Sequence, residues 1–85
     1  MTTSLINIAL DPGGWTDLCA IHPATANSDL VLRYLSPFSA RIVHGGATAP
    51  TTPDSGDMLN PGEAIYANAD HIWVSGRGAV SITIL

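Results

Sequence analysis

His71-Ile-Trp-Val-Ser-Gly-Arg-Gly-Ala-Val-Ser-Ile-Thr-Ile-Leu85 consists of two short β-branched runs separated by Gly76-Arg77-Gly78. Apolar alternation on both sides of a glycine-containing loop predicts a β-hairpin. A three-residue loop pairs Ser75 with Ala79, Val74 with Val80 and Ile72 with Ile82. Ile72, Val74, Val80, Ile82 and Ile84 then share one face, with His71, Trp73, Ser81 and Thr83 on the other. A two-residue loop would mix the faces, a slip that a buried face penalises. Gly78 suits the left-handed position that ends a three-residue loop.

The rest of the chain carries the same strand grammar. Leu5–Leu10 places Ile6, Ile8 and Leu10 in alternation, and Asp11-Pro12-Gly13-Gly14 follows as a type II turn. Trp15–Ile21 reads as a second strand paired with the first. His22–Ser28 is a loop by composition. Leu30–Leu35 and Ser39–His44 read as strands around a bend at Pro37, because Pro37 leaves too little room for a helix capped by Asp29. The segment 45–62 is a long loop punctuated by glycine and proline, closed by the turn Asn60-Pro61-Gly62. It is either a surface excursion or a contact arm. Glu63–Ala67 is a short strand leading into the terminal hairpin. The expected fold is all-β, a single domain over residues 1–85: a small antiparallel β-sandwich or partly open barrel of six to seven short strands.

Composition narrows the function. Only 12% of the 85 residues are charged, there is no lysine, and the net charge is −4. A typical domain carries about 25% charged residues. Nucleic acid is an unsuitable partner, because phosphate recognition needs clustered lysine or arginine. No apolar run reaches the length of a membrane span, and the N-terminus lacks the basic region of a signal peptide. Cys19 is the single cysteine, so an intrachain disulfide is impossible. So small a domain with so little surface charge is expected to be a homo-oligomer or to be covered by other subunits.

Chemistry is sparse. His22, His44 and His71 lie 22 and 27 positions apart, without the tight pairing of zinc ligands. No Gly-x-Ser-x-Gly elbow is present, and Glu63 is the only glutamate. No catalytic, metal or cofactor residue is expected, and the chain does not read as an enzyme. Trp73 is the informative residue: the hairpin register sends it away from the core, with Ile65 or Tyr66 expected beside it. Either a loop folds over Trp73 or it anchors a partner, as interfacial tryptophan and tyrosine do. The candidate partner contacts are Trp73, Tyr66, His71 and Arg77. A small carbohydrate-binding or receptor-binding module is the alternative, with Trp73 or Tyr66 as stacking platform and Asn68, Asp70 and His71 nearby.

Several stretches carry a family resemblance. Gly45-Gly46-Ala47-Thr48-Ala49-Pro50, Leu59-Asn60-Pro61-Gly62-Glu63, Ala69-Asp70-His71-Ile72-Trp73-Val74 and the Gly76-Arg77-Gly78 turn resemble small structural proteins of tailed-phage virions. Gly14-Trp15-Thr16-Asp17-Leu18 adds to the likeness. It covers about half of the chain and consists of turns and strand patterns. It implies a virion location and an assembly role as a capsid decoration, head-fibre, connector or tail component, in contact with other virion proteins. It implies no catalytic residue and no cofactor.

Overall fold

The computed structural model describes residues 6–11, 14–51 and 56–85. Among them are eight strands: β1 (Ile6–Ala9), β2 (Trp15–Asp17), β3 (Leu30–Tyr34), β4 (Ala40–His44), β5 (Asp57–Leu59), β6 (Ala64–Ala67), β7 (Ile72–Ser75) and β8 (Ala79–Ile84). They form two four-stranded antiparallel sheets, in the orders β1-β8-β3-β6 and β2-β7-β4-β5. The architecture is a small β-sandwich, as expected, with one or two strands more than the sequence suggested. The additional short strand, β5, lies inside the 45–62 segment and pairs with β4.

β3, β4 and β7 alternate as half-buried strands do. In β3, Leu30, Leu32 and Tyr34 are buried while Val31 is partly exposed and Arg33 exposed. Ala40 and Ile42 of β4 face them, and Ile72, Val74, Val80 and Ile82 are fully buried in the same cluster. Ile84 packs only partly against it. The inward face expected for 71–85 is therefore found for Ile72, Val74, Val80 and Ile82; Ile84 is only partly buried, and Ser81, expected on the opposite face, is itself buried at 6% exposure.

The expected pairing of that stretch is not found. Strands β7 and β8 lie in opposite sheets: β7 sits between β2 and β4, and β8 between β1 and β3. Val80 pairs with Tyr34 and Ile8, and Val74 with Ile42 and Thr16. Gly76-Arg77-Gly78 is thus a corner crossing the sandwich. The physical reason lies at Gly76 and Gly78. A Cβ at Gly76 would stand 2.6 Å from the Ala40 Cβ, and one at Gly78 2.6 Å from the Ser36 Cβ. Gly78 also takes φ +94°, which side chains resist. The Tyr34 hydroxyl, from a fully buried ring, donates to the Arg77 carbonyl at 2.6 Å and ties the corner to β3.

The expected pairing of the first two strands fails in the same way, since β1 joins β8 and β2 joins β7. Their connection keeps the bond expected of a turn, from Gly14 N–H to the Asp11 carbonyl at 3.4 Å. Its central residues, Pro12 and Gly13, lie outside the described residues, as does Leu5 of the expected first strand. The second strand is also shorter than expected. Asp17 ends it: the carboxylate accepts the Cys19 N–H at 3.0 Å and caps the single-turn helix α1 (Leu18–Ile21). Helix initiation by such a cap overrides the alternation read through Ile21. The Asn60–Glu63 turn is present, with the Glu63 N–H bonded to the Asn60 carbonyl and Gly62 at φ +74°.

Gly76→Ala is expected to cost about 1–3 kcal/mol by overpacking. In a domain of this size each kcal/mol lowers the melting temperature by about 4–8 °C. An unchanged melting curve would mean that the corner does not pack on Ala40.

Candidate functional site

The four candidate contact residues fall in three places. Trp73 and His71 stand together on the outer face of the β2-β7-β4-β5 sheet. Trp73 lies in register with Asp17 of β2 and Val43 of β4. Its expected neighbours, Ile65 and Tyr66, belong to β6 in the other sheet, because residues 68–71 also cross the sandwich. The indole N–H donates to the Gly46 carbonyl at 2.8 Å. The His71 ring stacks on the indole with centroids 6.3 Å apart and planes at 17°. The start of the 45–62 segment thus folds onto Trp73 while its ring stays half-buried.

His71 is held from a second side. Its Nδ1 lies 2.6 Å from Asp17 Oδ2, and the Asp17 side chain is only 9% exposed against 31% for the imidazole. An ionised carboxylate only accepts, so Nδ1–H is the donor. Asp17 therefore uses one oxygen to cap α1 and the other to orient His71. An Asp–His pair supplies two of the three members of a hydrolytic triad. Among the described residues, however, no hydroxyl or thiol hydrogen-bonds the remaining imidazole nitrogen. What the pair does visibly is lash the helix to the strand that carries Trp73.

Arg77 lies at the opposite end of the sandwich, on the corner between β7 and β8. Its guanidinium carbon is 5.7 Å from the centroid of the Phe38 ring, within the range of a cation–π contact. Phe38 is 53% and Leu35 49% exposed, both in the connection from β3 to β4 at that end. Sequence reasoning passed over Leu35 and Phe38. Their signal was present: apolar residues flanking Ser36-Pro37, where a bend offers no inward face.

Tyr66 stands alone on β6, the edge of the β1-β8-β3-β6 sheet, and is 80% exposed. It lines a shallow cleft of about 380 Å³ with Asp29, Leu30, Ala67, Asn68 and Leu85. The Asn68 side-chain amide donates to Asp29 Oδ1 at 2.8 Å across that cleft. Asp29 was read only as a possible helix cap. Its place beside Tyr66 depends on the antiparallel pairing of β3 with β6, which local sequence does not reveal.

No group of three or more His, Cys, Asp or Glu among the described residues is placed to hold a metal ion. No helix among them is long and apolar enough to cross a membrane.

Trp73→Ala should leave the protomer folded, since Trp73 is only partly buried and its indole bond to Gly46 contributes about 1 kcal/mol. Ile82→Ala, in the fully buried cluster, should cost about 2–5 kcal/mol through lost transfer energy and a cavity. Denaturant titrations of the two variants separate these effects; equal destabilisation would make Trp73 part of the core. No protein-family model matches the chain, and no curated protein and no solved structure matches it either.

Proposed function

We propose that this domain is a non-enzymatic structural component of a tailed-phage virion, working through protein–protein contacts with copies of itself or with other virion proteins. The observation that carries the assembly reading is the end of the sandwich formed by Leu35, Phe38 and Arg77. Two large apolar side chains stand about half exposed there, with a guanidinium over the aromatic ring. Aromatic residues and arginine are enriched in interface anchors. The surrounding chain has little charge to keep such a surface solvated, with 12% charged residues and no lysine. The outer face around Trp73 and His71 is a second contact surface on this reading. Its side chains are already fixed by Gly46 and Asp17, so little ordering entropy opposes their engagement.

The mechanism is burial of area. A subunit that binds only the assembled state stabilises it by mass action, and a small rigid sandwich needs no chemistry to do so. The virion setting is supported by the sequence resemblance in the turns and strands of the C-terminal half.

The purified chain is expected to self-associate at micromolar concentration, or to be insoluble without its partner. Phe38→Ala and Arg77→Ala should each weaken association by about 2 kcal/mol if they are hot spots, while circular dichroism stays unchanged. Sedimentation velocity reads both effects. A stable, soluble monomer, with neither substitution altering incorporation into particles, would overturn the reading.

A further inference from the structure

We propose that the cleft beside Tyr66 is a binding site for a neutral sugar ring, with Tyr66 as the stacking platform and Asp29 and Asn68 as the hydroxyl-binding pair. This goes beyond the assembly role and uses a different part of the surface.

Of the two aromatic platforms legible in the sequence, the structure removes one. Trp73 has its N–H on Gly46 and its ring stacked on His71. Tyr66 is 80% exposed, and its hydroxyl has no hydrogen-bond partner among the described residues. A tyrosine ring kept in water on a cleft wall offers an apolar face to the C–H groups of a pyranose. The nearby polar groups change in the same way. Asp70 accepts the His71 N–H at 2.9 Å and does not line the cleft. Asp29 takes its place beside Asn68, already a candidate, the two joined at 2.8 Å.

That bond leaves one carboxylate oxygen of Asp29, the carbonyl of Asn68 and one of its amide hydrogens without protein partners among the described residues. Two acceptors and a donor side by side match a pair of adjacent hydroxyls, each of which donates and accepts. The two side chains are oriented before a ligand arrives, since they bond across 39 positions of sequence from the ends of two paired strands. Leu85 N–H on the Asp29 carbonyl at 2.8 Å fixes the third wall.

Size and charge complete the ligand class. The volume of about 380 Å³ is at the small end of small-molecule sites, suited to one ring rather than an enclosed chain. The Asp29 carboxylate and the net charge of −4 disfavour phosphorylated or acidic sugars. The ring is either a free monosaccharide or one residue of a surface polysaccharide.

The test uses the full chain, fluorescently labelled, on an array of neutral and acidic glycans. A titration of the best neutral monosaccharide followed by amide NMR comes next. Binding to neutral glycans is expected, with shifts concentrated at Asp29, Tyr66, Ala67 and Asn68. Tyr66→Ala and Asp29→Ala should each weaken it at least tenfold, and Asp70→Ala should not. Competition by the free monosaccharide separates a single-ring ligand from one that needs the polymer. A blank array, a preference for acidic glycans, or binding that survives Tyr66→Ala would overturn the proposal. So would a blank array combined with loss of self-association in Tyr66→Ala, which would assign Tyr66 to a subunit contact. Failure of the assembly reading is seen separately, in the sedimentation of the Phe38 and Arg77 variants.

Discussion

The gap between two packed sheets, about 10 Å, is the constraint on which this molecule depends. Of the seven connections between consecutive strands, six carry the chain from one sheet to the other, and only β4 to β5 stays within a sheet. Strands of three to six residues are therefore paired with partners distant in sequence, while their chain neighbours face them across the core. The β2–β3 crossing is long enough to hold α1, but the other crossings are short and must turn sharply without stranding a polar group. Gly76-Arg77-Gly78 meets these demands by close approach to Ala40 and Ser36 and by the Tyr34 hydroxyl on the Arg77 carbonyl. Asn60–Gly62 and residues 68–71 solve the same problem at other corners. The result is a core with fully buried Leu, Ile and Val from both sheets and no buried side-chain polar atom left unpaired among the described residues.

This winding explains what could be read from the sequence. Alternation reports which face of a strand is apolar, so Ile72, Val74, Val80 and Ile82 were assigned to the core correctly. It does not report whether the next strand lies beside the first or opposite it. Both arrangements bury the same four residues, and a three-residue loop with glycine serves either one. The feature that decides, contact of Gly76 with Ala40 of a strand 36 positions earlier, is non-local. Asp17 is a different case. Its capping of α1 is a local signal, but the apolar residues after it continued a strand pattern that concealed the helix.

The surface residues divide along the same line. Trp73 and His71 were expected away from the core and are found there. The groups that fix them, Gly46 and Asp17, come from other elements and could not be inferred. Tyr66 was a candidate neighbour of Trp73 and Arg77 a further candidate contact; the crossings place them at an edge and an end of the sandwich. On the assembly reading proposed above, this separation would leave the Tyr66 cleft open to solvent while a neighbour covers the Leu35–Phe38–Arg77 end. The outer Trp73 face is cross-tied by His71, Asp17 and α1.

The sandwich depends on β7 and β8 belonging to opposite sheets. Cross-strand Hα–Hα contacts in NMR spectra of the chain test this most directly, because non-hydrogen-bonded antiparallel pairs bring those protons together. The observed register predicts contacts between Val80 and Tyr34, between Ile82 and Leu32, and between Val74 and Ile42. A Val74–Val80 contact in their place would mean that the terminal stretch closes as a hairpin, and would contradict the sandwich described here.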